Sequence, residues 1–326
     1  MIDGVLTLID DPENPLKPKP KIITNNIDLE LSAQSKYSLA PVNTILKETA
    51  KYDAKYAYVG LPCQIHSIRK LQMQNDPNVK NLTLLIGSYC GAIHYFKSIV
   101  DYLKKYGINN LDEVKNIQYR AGEWPGKLLV TLYDGREFSL SKFYANYMNM
   151  LYIVERCQVC SDLSNELSDF SGADAWAPTY EERGKGYSLI VTRTIIGDDL
   201  IKKCIDKGIL ISEKEVSRNE ILTMHSHGID NKKIGSYVRI KLWKLMGKKT
   251  PNYNLEISKI PFKRFIIALL VSLAFKIGSL NGFRWLLRQL PMDITGRFFQ
   301  WVRKILKLLT KPKNNKTNYF FTPIKK

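Results

Sequence analysis

Two stretches of this 326-residue chain share one pattern, and they constrain the fold more than any other feature. "KYAYVG", then "LPCQ", then "IHSIRKLQ" reads as a strand, a turn and a helix start. "NLTLLIGSYCG", then "AIHYFKSIVDYLKKYG" reads the same way, with Gly107 as the helix C-cap. Strands that alternate with helices call for parallel pairing through crossover connections. The expected class is therefore α/β with a partly parallel sheet. Each unit also places a cysteine, Cys63 or Cys90, just past the carboxyl end of its strand. In open α/β sheets that edge is where ligands bind.

The surrounding chain fills in the plan. "MIDGVLTL" reads as a short strand before the Pro- and Lys-rich loop "DDPENPLKPKPK", and Val42, Ile45 and Leu46 fit one helix face. From 117 to 140, alternation around an Asp134-Gly135 turn predicts an antiparallel hairpin. A helix is expected over "SKFYANYMNMLY", then a buried strand at "YSLIVTRT" and a helix at "GDDLIKKCIDKG". Three parts follow: an N-terminal α/β part over 1–115, a second part over 116–230, and a basic amphipathic helical tail over 231–326.

Charge separates the last part from the rest. Residues 1–230 hold 27 Lys and Arg against 29 Asp and Glu, whereas residues 231–326 hold 22 against two. Such a tail suits an anionic surface, and no nucleic-acid reading module is recognisable in it, so nucleic acid is not an expected partner. The apolar run in "FIIALLVSLAFKIGSL" is too short to span a bilayer. "GRFFQWVRKILKLLTK" places Phe298, Val302, Ile305 and Leu309 on one helical face and Gln300, Arg303, Lys304, Lys307 and Lys311 opposite. That pattern fits an anionic membrane surface. The N-terminus has no secretory signal, and an odd number of cysteines suits a reducing compartment. The expected location is cytoplasmic and peripheral at the membrane.

Chemistry concentrates in the cysteines. Cys204 lies between Ile201 and Ile205 and reads as packing. The pair in "RCQVCSDLSNELSDFSGADAW" alone is compatible with zinc, an iron–sulfur cluster, a dithiol or nothing. With Cys63 and Cys90, however, Cys157 and Cys160 complete four thiolates, the number that suits tetrahedral zinc or a 4Fe-4S cluster. Only one pair is close in sequence, and the other two come from separate strand ends, which favours a redox cluster over a structural zinc. A thioredoxin-like CxxC would follow a strand directly, and this one follows a helix-like segment. His225 and His227 read as a solvated turn. His66 and His94 begin helices beside the cysteine loops.

The motifs "VGLPCQI", "GSYCG", "RCQVCSDLSNELSDFSGADAW" and "GYSLIVTRTIIG" resemble, in order and spacing, the coenzyme F-420 hydrogenase/dehydrogenase beta-subunit family. That family includes 7-hydroxymethyl chlorophyll a reductase, and the similarity covers roughly residues 1–225. The resemblance implies an oxidoreductase that moves electrons between a 4Fe-4S cluster, FAD and an organic substrate or deazaflavin-like acceptor, with a ferredoxin-type partner. It implies Cys63, Cys90, Cys157 and Cys160 as cluster ligands. Pro62 and Gln64 match the turn whose amides tune the cluster sulfurs. Asp162, Asp174 and Trp176 match residues lining the redox crevice. Gly186, Ser188, Arg193 and Thr194 match the following strand, where Arg193 would offset a flavin's negative charge. Longer members begin with a ferredoxin-like segment and a Gly-rich "GGxVTALL" loop, and the match here starts inside the first βα unit. "ADAW" also replaces the usual "GDxW". Two other classes compete with the enzyme reading: an electron-transfer or scaffold subunit without flavin, and a zinc-stabilised binding protein.

Overall fold

The computed structural model describes residues 2–310 and 321–323, except 143, 178, 181–185, 258–259 and 261. The chain runs through β1 (Gly4–Ile9), β2 (Lys19–Ile23), α1 (Asn26–Ser32), α2 (Leu46–Thr49), β3 (Tyr56–Gly60), α3 (Pro62–Met73), β4 (Leu82–Ser88) and α4 (Lys97–Lys104). Next come β5 (Val114–Ala121), β6 (Lys127–Leu132), β7 (Glu137–Ser141), α5 (Met148–Leu151), β8 (Phe170–Asp174) and β9 (Ser188–Thr192). The helices α6 (Ile195–Asp206), α7 (Arg218–Met224), α8 (Ser226–Asp230), α9 (Ser236–Leu245), α10 (Phe262–Ser279), α11 (Asn281–Gln289) and α12 (Met292–Thr310) follow.

The main sheet has six strands in the order β2-β1-β3-β4-β8-β9. Its four inner strands are parallel, and β2 and β9 close the edges antiparallel. The parallel units expected around Cys63 and Cys90 are therefore present. Their core forms where α3 lays Ile65 and Ile68 over Leu6, Tyr58 and Leu85. The expected hairpin is part of a separate antiparallel sheet, β5-β6-β7. Alternation along β6 buries Leu128, Val130 and Leu132 against Ile99, Tyr102 and Leu103 of α4 and Phe299 of α12.

Four expectations change. The Pro- and Lys-rich loop ends in a strand, β2, because its register with β1 brings Ile23 opposite Val5 and buries it. "YSLIVTRT" forms an edge strand rather than a fully buried one. The helix expected over 141–152 is a 3-10 turn, Tyr144–Tyr147, followed by the single turn α5. Here α12 lies so close that a Cβ on Gly296 would meet the Tyr144 ring at 2.5 Å, so tertiary packing sets the local backbone. Lastly, the segment after 230, expected as a basic amphipathic tail for an anionic surface, also packs on the body. Its Arg288 reaches the buried Asp101 carboxylate of α4 at 2.6 Å, and Lys97 and the Tyr152 hydroxyl donate to the same group.

Candidate functional site

Cys63 arrives on a helix rather than in a turn. The Pro62 ring occupies the first position of α3, and Gln64 Oε1 accepts from the Leu61 amide at 2.7 Å. Proline at this position and a side-chain cap together start the helix early. Cys63 therefore lies in the first turn, where the helix dipole favours a thiolate. Pro62 and Gln64 act here on the backbone of the helix start. Cys90 follows β4 closely, and its amide donates to Leu163 O at 2.9 Å.

The loop after the CxxC ties these strand ends together. Asn165 adopts a left-handed backbone (φ +62°) and is fully buried. Its Nδ2 donates to Gly60 O at the end of β3 (2.8 Å) and to Ser88 O at the end of β4 (3.3 Å). Gly87 makes room for it, since a Cβ there would meet the Asn165 side chain at 2.6 Å. Asp162, also buried, accepts from the amides of Asn165 and Glu166 and pairs with His66 Nε2 at 2.9 Å. Burial pushes its carboxyl up, but the His66 and Glu166 hydrogen bonds prevail and hold it below its ordinary value. Asp169 completes the weave by accepting from the Leu85 amide, Arg69 and Thr194.

The CxxC itself is held from the C-terminal side. Cys157 is the third residue of a 3-10 turn, Glu155–Val159, and Cys160 follows that turn. The carbonyls of Cys157, Gln158 and Val159 accept in turn from Lys232 Nζ (3.5 Å), Arg239 Nε (2.5 Å) and Tyr253 OH (3.1 Å). Arg239 and Lys232 are almost wholly buried. Arg239 is fixed further by the Asn231 side chain and carbonyl.

The four thiols interact electrostatically. Burial raises Cys63, and the charges of Cys160 and Cys157 add to it. Burial pushes Cys90 to about 12; Lys232 opposes the rise, and Cys157, Cys63 and Cys160 reinforce it. Cys157 is raised by burial, while a backbone hydrogen bond and Lys232 pull it down. Cys160 Sγ donates to Asp162 O at 3.5 Å. Among the described residues no group of three or more His, Cys, Asp or Glu side chains is disposed to hold a metal ion. The charge balance nevertheless fits a four-thiolate centre. Lys232 is buried, its Nζ donates to the Cys157 carbonyl, and its charge acts on Cys63, Cys90 and Cys157; a buried ammonium is stabilised by anionic neighbours.

Beyond the cysteines, the carboxyl ends of β4 and β8 frame a crevice. Asp174 ends β8 opposite Ser188, and it meets Arg120 at 3.2 Å and Lys142 at 3.5 Å. Lys142 lies 4.1 Å from the centre of the Trp176 ring, which packs on Trp124. Burial, with the nearby Arg120 charge, lowers Lys142 to about 8. The indole N–H of Trp124 is buried and has no hydrogen-bond partner among the described residues. Arg193 donates to the Ser171 hydroxyl and to the carbonyls of Ser164 and Val191, so it braces β9 against β8. A cleft of about 740 Å³ opens beside this crevice, lined by Trp176, Tyr180, Asn219, Met224, His227 and Lys307. His225 and His227 are not a solvated turn. His225 packs on Tyr89, and burial together with the charges of Lys307 and Arg303 drops His227 to about 4.

Reading the sequence missed Lys232, Arg239, Asn165, Lys142 and Arg120. "NKKIGSYVRIK" offers no sign that two of its cations are buried, because its partner carbonyls lie about 80 residues upstream. Asn165 had a better signal: a polar residue within a Cys-rich loop next to two strands ending in glycine or serine.

Comparison with known proteins identifies the family and the fold. Two family models describing the beta subunit of coenzyme F420 hydrogenase/dehydrogenase match the chain. The model of its C-terminal part matches residues 53–218, and the model of its N-terminal part matches residues 1–47. The chain is 30% identical over 234 residues to a coenzyme F420-dependent sulfite reductase of Methanocaldococcus jannaschii, covering 67% of this chain and 34% of that protein. It is 25% identical to the coenzyme F420 hydrogenase subunit beta of Methanococcus voltae, over 64% of this chain and 71% of that one. The chain thus spans about a third of the reductase and somewhat over two thirds of the hydrogenase subunit. Its fold is similar to a chain of the F420-reducing [NiFe] hydrogenase complex from Methanosarcina barkeri, with a TM-score of 0.57 at 21% identity over 77% of this chain and 84% of that one.

Proposed function

The chain belongs to the coenzyme F420 hydrogenase/dehydrogenase beta-subunit family, a family of oxidoreductases, and from that premise we propose that it relays electrons through a 4Fe-4S cluster and a flavin. Cys63, Cys90, Cys157 and Cys160 would hold the cluster, which supplies one-electron transfer. FAD would occupy the crevice and cleft beside Asp174 and Trp176, exchanging electron pairs with an organic substrate or a deazaflavin-like cofactor. The observation that supports this reading best is Lys232, a buried cation whose charge acts on three of the four thiols. The cleft volume lies within the range of cofactor sites. Trp124, Lys142 and Arg120 give the crevice a hydrogen-bond donor and two cations for an anionic ring or phosphate. A small iron–sulfur protein of the ferredoxin type is the electron partner we propose.

Anaerobic purification followed by iron, labile-sulfide and flavin assays tests this. Four irons and one flavin per chain are expected. A colourless protein with one zinc would sink the cluster and support the zinc-stabilised reading. A full cluster without flavin would instead support the electron-transfer subunit.

A further inference from the structure

The helices α10 and α12 carry large apolar side chains on their open sides as well as on the sides that face the body. Each rests on the body by one side. α10 buries Ile267, Ala268 and Gly278, and Gly278 comes so close that a Cβ would meet Met150 O at 2.7 Å. α12 buries Thr295 and Phe299, and the charges of Arg303 and Lys307 act on His227 beside the cleft. The open sides are apolar. Leu269, Leu273 and Ile277 on α10 and Phe298, Trp301 and Leu308 on α12 are all exposed. Steps of four or three residues, and of seven, keep each trio on one helical stripe.

Basic residues edge these stripes. Lys263 and Lys276 on α10 and Arg297 and Lys304 on α12 are exposed. The whole stretch from 231 has 22 basic residues and two acidic ones. Between the two helices, α11 exposes Trp285 at 56%. An indole at the edge of an apolar face is characteristic of the zone between acyl chains and headgroups. No single helix among the described residues is long and apolar enough to cross a membrane. α10 and α11 together have the length and hydropathy, but they are bent by 76° at their junction. That bend, with one side of each helix on the body, suits a layer lying in the plane of an interface.

We propose that α10, α11 and α12 form a docking face for an anionic lipid bilayer, with the apolar stripes at headgroup depth and the flanking lysines and arginines on lipid phosphates. The sign and density of charge favour lipid over a protein cover, whose interface core would be depleted of charge. The reading is independent of whatever the cysteines hold.

Flotation of the purified full chain with phosphatidylcholine vesicles, with and without phosphatidylglycerol, tests it. Binding only to the phosphatidylglycerol vesicles, weakened by salt and accompanied by a blue shift of tryptophan emission, is expected. The combined Lys263→Glu, Lys276→Glu and Lys304→Glu variant should bind on the order of a hundredfold more weakly. Trp301→Ser should weaken binding with far less change in its salt dependence. Unchanged circular dichroism shows that both variants fold. Equal binding to both vesicles, no binding to either, or self-association that shields the tryptophans without vesicle binding would each overturn the proposal.

Discussion

At the scale of single residues, the site is organised by polar groups that satisfy backbone. Asn165 joins the ends of β3 and β4 through two carbonyls. Asn165→Ala should cost about 2 kcal/mol, since it leaves buried acceptors without partners, and chemical denaturation measures it. Lys232→Met removes the buried cation while keeping its length. Less iron retained per chain and a lower midpoint potential are expected, read by iron assay and redox titration. An unchanged potential in a fully loaded variant would remove Lys232 from the electrostatics of the site. Lys142 makes the crevice sensitive to pH. With its pKa lowered to about 8, its positive charge is present below that value and lost above it. Affinity for flavin should therefore fall as pH rises through about 8, and Lys142→Met should flatten that profile in a flavin titration.

At the scale of elements, the parallel units were legible because their signals are local. An apolar run, a turn and a helical period follow one another within a short stretch of each unit. The antiparallel hairpin was legible for the same reason, through Asp134-Gly135. The start of α3 at Pro62 was misplaced although its signal, a proline followed by a capping glutamine, lies in the sequence. What could not be read was set by partners distant in the chain. β2 depends on its register with β1, and the turn over 144–147 depends on α12. Likewise the CxxC suggested a convergence of thiols, but its backbone is positioned by α9 and the residues around it. Arg239→Met should therefore disturb the Cys157–Cys160 loop more than the sheet. Loss of the cluster chromophore with most of the far-ultraviolet dichroism retained is the expected outcome.

At the scale of the whole molecule, charge sets the last hundred residues apart in the sequence, but it did not foretell their attachment to the body. The Asp101 cluster fastens α11 to α4 through Arg288. Arg288→Ala should lower stability by about 1–3 kcal/mol, because it removes one of two cations from a buried carboxylate. Hydrogen exchange should quicken first in α11. If exchange rose equally throughout the sheet, the helices and the sheet would be one cooperative unit instead.

The hold of Lys232, Arg239 and Tyr253 on three successive carbonyls also sets an order in time. Synthesis delivers the CxxC loop well before the side chains that grip it. While the first 230 residues are emerging, Cys157 and Cys160 belong to a loop whose outer wall does not yet exist. On the proposal that these thiols hold a cluster, iron and sulfide supplied in that interval would meet an open nest of thiols, and residues 232–253 would close it behind them.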